Sequence, residues 1–187
     1  MKYVRILFIF LFIVSAGCKI KKTAAHNQPS VRQTEANTPV VNFSDQSTWL
    51  LGYVNPALMR NPPYSEWFIR GYDDYQFNQD IVNTLTELNK DELSIKVVFG
   101  TWCPDSRREV PRFMRILDSW RFPVDKVTFI GVDNAKHSPV RGYDSLNIER
   151  VPTFIIYKNN NEAGRIIENP VTSLEQDILN ILDRNEK

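Results

Sequence analysis

Few residues in this chain can do chemistry, and one of them is well placed for it. Val97-Val98-Phe99-Gly100 is an apolar, β-branched run ending in glycine, and Thr101-Trp102-Cys103-Pro104-Asp105-Ser106 follows. Such a run reads as a buried strand. Pro104 suits the first position of a helix, because its fixed φ fits and its missing N–H would have been unpaired there anyway. Cys103 therefore falls between a strand and a helix N-terminus, where a thiol becomes a thiolate most easily. A thiolate attacks disulfides. Asp105 and Glu109 bring negative charge to the positive end of the helix, and Glu109 opposes the thiolate if it lies close and ionised. Ser106 stands where a second cysteine would complete Cys-x-x-Cys. Its hydroxyl can donate a hydrogen bond to a thiolate but is no thiol nucleophile. Arg107 adds a cation whose direction the sequence leaves open.

The elements that must hold these residues follow from periodicity. Ile95–Phe99 reads as the strand entering the site, and Pro104–Trp120 as the helix leaving it. Val110, Phe113, Leu117 and Trp120 give that helix one apolar face. Arg108, Arg112 and Arg115 share another, read as solvated, with an anion site as the alternative. Upstream, Phe77, Ile81, Leu85 and Leu88 recur at helical spacing between about Tyr75 and Lys90. Downstream, Val127–Val132 reads as a second strand, and Asp133 to Arg150 as loop or short helix. Thr153–Tyr157 and Arg165–Ile167 read as strands joined through Lys158-Asn159-Asn160-Asn161. Thr172 or Ser173 caps a last helix, with Glu175 or Gln176 as capping-box partner. Its inward positions are Leu174, Ile178, Ile181 and Leu182.

The order Trp102-Cys103-Pro104, Arg107, Glu109, Pro111 resembles the thioredoxin superfamily, and within it the membrane-anchored, periplasm-facing thiol-disulfide proteins of bacteria. Val151-Pro152-Thr153 ahead of Phe154-Ile155-Ile156-Tyr157 resembles the cis-proline loop of that fold. The resemblance spans roughly residues 94 to 184. It implies an α/β thioredoxin-like fold, a mixed sheet flanked by helices. It implies a cis Pro152 facing Cys103, Val151 offering backbone groups to an extended substrate, and Thr153 beside it. It also implies an apolar rim formed by Trp102, a substrate contact at Pro104, and a supporting, tuning role for Glu109. A plain turn is the alternative for Pro152. Protein-reducing thioredoxins usually carry a buried Asp six residues before the cysteine, where this chain has Val97. With Ser106 in place of the second cysteine, Cys103 can attack a disulfide but cannot release itself by internal attack.

The N-terminal part reads differently. Lys2 and Arg5 precede Ile6–Val14, nine apolar residues in a row and too short to span a membrane as a mature helix. Ser15-Ala16-Gly17 and Cys18 then resemble a bacterial lipobox, with Ser15 departing from its usual leucine. Residues 1–17 thus read as a lipoprotein signal peptide with Cys18 lipidated, an ordinary cleaved signal being the alternative. Residues 18–42 are polar and read as a flexible tether. Residues 43–77 form an aromatic N-terminal extension to the domain of residues 43–187. They hold Phe43, Trp49, Tyr53, Tyr64, Trp67, Phe68, Tyr72, Tyr75 and Phe77, interrupted by Pro56, Pro62 and Pro63. Packing onto the domain is the simpler reading of these rings, and a peptide-binding surface the sharper one.

Composition removes other classes. Of the 23 Lys and Arg, five fall in residues 1–22 with no acid, which leaves the rest about four charges negative. That gives no support for nucleic-acid binding. With His26 and His137 the only histidines, no Cys/His metal cluster can be assembled, and no cofactor is expected. Two functional readings remain. One is a lipid-anchored, membrane-attached monothiol oxidoreductase of the cell envelope, facing the periplasm or exterior and acting on client-protein disulfides or small thiols. The other is a non-catalytic binding module with a vestigial cysteine. A cluster-binding monothiol glutaredoxin fits less well, since Cys-Gly-Phe-Ser is its usual motif.

Overall fold

A computed structural model of the chain describes residues 41–184. The signal peptide, Cys18 and nearly all of the tether lie outside the described residues. The elements are β1 Gly52–Tyr53, α1 Ser65–Asp73, α2 Gln79–Glu87, β2 Leu93–Phe99, α3 Pro104–Trp120, β3 Val127–Gly131, β4 Thr153–Lys158, β5 Asn161–Ile167 and α4 Leu174–Asp183. The strands form one sheet in the order β1-β3-β2-β4-β5. β2 and β3 run parallel, joined through α3, and the other pairings are antiparallel. A parallel β-α-β crossover followed by a hairpin and a closing helix is a thioredoxin-like α/β fold. The extension adds β1 as an extra edge strand.

Alternation along the strands separates two cores. Ile95, Val97, Phe99, Phe129, Phe154 and Ile156 share one cluster with buried residues of all four α-helices. Phe113 of α3 stacks on Phe154 at 4.2 Å between ring centroids. Val98, Ile130 and Ile155 belong to a smaller cluster with Cys103, Val132, Tyr143, Leu146 and Val151. That second face is covered by the loop segment between β3 and β4, whose one short helical turn is Tyr143–Leu146.

Helix ends follow local chemistry. Asn78 accepts from the N–H groups of Asp80 and Ile81, so α2 starts at Gln79 rather than near Tyr75, and it buries Val82 and Leu85 rather than Ile81. Ser173 accepts from Gln176 N–H and starts α4. Arg121 takes the left-handed conformation after α3, and Phe122 N–H returns to the Leu117 carbonyl. The hairpin turn is Asn159-Asn160, both at positive φ, as a two-residue β-turn of the primed kind requires. β5 consequently begins at Asn161, four residues before the expected Arg165.

Residues 43–77 are part of the core rather than an appendage. α1 lies within them, directly after the Pro62–Pro63 cis bond, although the prolines predict no long element. Met59 and Phe68 are fully buried. Phe43, Tyr64, Trp67 and Phe68 form a chain of ring contacts with centroids 5.9–6.5 Å apart. Gly131 permits this packing, since a Cβ there would lie 2.0 Å from the Leu50 carbonyl oxygen.

Candidate active site

β2 delivers Cys103 to the start of α3. Cys103 is the N-cap residue, extended at φ −81° and ψ 123°, with Pro104 at the first helical position. Its N–H donates to the Gly100 carbonyl at 3.0 Å, and its carbonyl accepts from Arg107 N–H at 3.1 Å. The thiol is free and only 7% exposed. The sulfur donates to the Val151 carbonyl at 3.2 Å. The Val151–Pro152 bond is cis. Cys103 and Val151 therefore share one small cluster, with the flanking Trp102 packed against it.

The other residues singled out in the sequence are placed as follows. Pro104 is exposed, whereas Val151, Pro152 and Thr153 are buried. The Pro152 carbonyl accepts from Glu168 N–H at 2.7 Å, and Thr153 Oγ1 donates to the Arg150 carbonyl at 2.6 Å. Ser106 is buried, and its oxygen accepts the Gly100 N–H at 3.2 Å, fastening the end of β2 to the first turn of α3. Glu109 belongs to the helical side. Its buried carboxylate accepts from Arg108 Nε at 2.6 Å and from Arg112 at 3.1 Å. Arg112 lies over the Tyr75 ring and Arg115 over the Tyr72 ring, so two of the three stripe arginines pack on the extension, while Arg108 is exposed and paired with Asp105 and Glu109. His137 is 80% exposed beside Asp133, and no group of three His, Cys, Asp or Glu among the described residues could hold a metal ion.

Thr101 and Tyr143 carry no signal in the sequence, and the direction of Arg107 is settled only by the fold. Thr101, fully buried, donates to the Thr48 carbonyl at 2.9 Å and accepts from Leu50 N–H at 3.4 Å, tying the cysteine loop to the extension. Arg107 points back along the chain, donating to the carbonyls of Thr101 and Trp102 at 2.9 and 3.0 Å while its guanidinium covers the Phe43 ring. Burial lowers the Arg107 pKa, and negative charge on Cys103 opposes that shift. Tyr143 is buried in the Cys103 cluster with its hydroxyl unpaired. Burial, then Asp133 and Asp144, push its pKa up to about 12. Trp102 spans the site: its indole N–H donates to the Val132 carbonyl at 3.0 Å, and its ring meets Trp49 of the extension.

No family model matches the chain, and no curated protein matches it. Solved structures do. A Pseudomonas aeruginosa protein of unknown function aligns at 14% identity and TM-score 0.49, covering 72% of this chain and 92% of that one. A Plasmodium falciparum thioredoxin aligns at 21% identity and TM-score 0.34, covering 56% and 90%. Thioredoxin O2 from Arabidopsis thaliana, in its oxidised state, aligns at 19% identity and TM-score 0.33, covering 59% and 90%.

Proposed function

We propose that this protein is a monothiol thiol-disulfide exchange protein with Cys103 as nucleophile, held at the membrane of the cell envelope by lipid on Cys18. One observation supports the chemistry above the others: Cys103 Sγ rests at the N-terminus of α3, 3.2 Å from the Val151 carbonyl. In thiol-disulfide exchange the Cys103 thiolate attacks one sulfur of a disulfide, forming a new S–S bond. The other sulfur leaves as a thiolate carrying the electron pair. An outside thiolate then attacks the mixed disulfide and releases Cys103. Ser106 cannot take that second role, because an unactivated hydroxyl does not displace a sulfur. Before attack, the thiol must give up its bond to Val151. The freed carbonyl can then accept a backbone N–H from an extended client, so client docking and release of the sulfur are coupled. Trp102 and Pro104 form the rim that the client meets.

The same burial of Cys103 favours the alternative of a binding module with an inert thiol. Reactivity of Cys103 separates the two readings, and one variant tests the monothiol account. Wild type, supplied with thioredoxin reductase alone, should turn over insulin disulfides poorly, and Ser106→Cys should turn them over faster. Equal rates with no added small thiol would overturn the monothiol account. For the anchor, a fatty-acid analogue fed to cells should label wild type and not Cys18→Ala; equal labelling would remove the lipid from the proposal.

A further inference from the structure

Cys103 is bracketed by one residue. The Arg107 N–H donates to the Cys103 carbonyl at 3.1 Å, and Arg107 Nη1 donates to the carbonyls of Thr101 and Trp102 at 2.9 and 3.0 Å. The peptide group joining Trp102 to Cys103 is planar. Arg107 holds its carbonyl, and the Gly100 carbonyl holds its N–H at 3.0 Å, so the plane cannot turn without losing a bond. The next plane has no N–H, because Pro104 follows, and its carbonyl is the one held by the Arg107 N–H. With both planes fixed, the direction of the Cys103 Cα–Cβ bond is fixed too, and only χ1 is left to the sulfur. Any residue but proline would supply the backbone bond; the two side-chain bonds need a long donor. That donor is itself held from outside α3. Its guanidinium carbon lies 4.8 Å from the centroid of the Phe43 ring, and the Phe43 carbonyl accepts the Trp49 indole N–H at 2.9 Å. The Trp49 ring lies 6.4 Å from the Trp102 ring, and Thr101 is fastened to Thr48 and Leu50. Residues 43–50 thus hold the cysteine loop through Thr101, Trp102 and Arg107.

We infer that the Arg107 side chain is a positioning residue for Cys103: it keeps the thiol aimed once the sulfur has left the Val151 carbonyl. The inference rests on the exchange chemistry proposed above, in which that bond breaks before attack. Orientation carries rate, and a displacement of about 1 Å can cost on the order of a hundredfold. The full chain carrying Cys18→Ala is compared with the same chain carrying Arg107→Met or Arg107→Lys. Methionine has no donor; lysine keeps donors and charge but not the flat fork. Adduct formation at Cys103 from uncharged bis(2-hydroxyethyl) disulfide is timed by intact mass, with urea midpoints measured alongside. Arg107→Met should react roughly ten- to a hundredfold more slowly, and Arg107→Lys should recover most of that loss. A rate unchanged or raised in Arg107→Met overturns the inference whatever the midpoints do. So does equal slowing in both variants, because both disturb the packing on Phe43. Amide exchange by NMR needs no chemistry at sulfur. The Cys103 N–H should exchange faster in Arg107→Met, relative to the amides of β4, and recover in Arg107→Lys. An unchanged Cys103 amide overturns the inference even where the thiol never reacts. A parent chain that forms no adduct, with the amide responding as expected, sinks the exchange reading and not the hold of Arg107 on the cysteine loop.

Discussion

The two faces of the sheet are built to different standards. One is closed by α1, α2, α3 and α4 over a large aromatic and aliphatic core, in which Phe113 and Phe154 stack and the Trp120 indole N–H reaches the Leu85 carbonyl. Even its buried acids are satisfied there. Glu175 accepts from the Tyr75 hydroxyl and from Asn78 N–H, both at 2.9 Å, and burial followed by that hydrogen bond raises the Tyr75 pKa. The other face is closed mainly by loop, holds a small cluster, and contains the thiol. The comparison separates the roles: the helical face carries the stability, and the loop face leaves a reactive group in a thinner shell. Loop-borne segments of this kind lie at the low-stability end of a fold.

Substitutions can break or sharpen that contrast. Phe113→Ala on the helical face should cost about 3–5 kcal/mol, the usual scale for an emptied aromatic site, read as a lower denaturant midpoint with unchanged slope. Thr101→Val keeps the shape of a fully buried side chain but removes its bonds to Thr48 and Leu50. It should cost about 1–3 kcal/mol, and faster amide exchange in residues 48–54 should accompany the loss. Tyr143→Phe, on the loop face, should be neutral or stabilising by less than about 1 kcal/mol, because the hydroxyl it removes is buried and unpaired.

The same variant carries a pH signature. With its pKa at about 12 in the fold and about 10 in the unfolded chain, Tyr143 ionises first when unfolded. Its contribution to stability is complete below pH 10 and is lost as pH rises toward 12. Tyr143→Phe should therefore flatten the fall in stability across that window, measured by urea denaturation at fixed pH. An unchanged slope would mean that Tyr143 is hydrated in solution.

What the sequence reveals tracks how local the physics is. Pro104–Trp120 can be read directly because a proline at the first position and an apolar stripe are local signals, and Ser173 marks the start of α4 for the same reason. Cys103 and Val151 lie 48 residues apart, and only the resemblance to a fold brings them together. Thr101 reaches partners 51 and 53 residues away, and nothing in its neighbourhood announces this. α1 is hidden by the prolines ahead of it, which lie before its N-cap Tyr64 and leave the helix uninterrupted. Glu109 looks like a neighbour of the thiol by spacing, yet the helical turn carries its carboxylate to Arg108 and Arg112 on the other side.

The central claim is that the loop-face thiol is a working nucleophile, and intact-mass measurement tests it most directly. Protein lacking Cys18 is mixed with an excess of a small disulfide, quenched with acid, and weighed before and after addition of an outside thiol. Wild type should gain the mass of one half-disulfide, keep it until the thiol is added, and then lose it. Cys103→Ser, with unchanged denaturant stability, should gain nothing. Folded wild type that stays at its original mass, acquiring the adduct only in denaturant, would show that the bond to Val151 keeps the sulfur out of reach and would contradict the account.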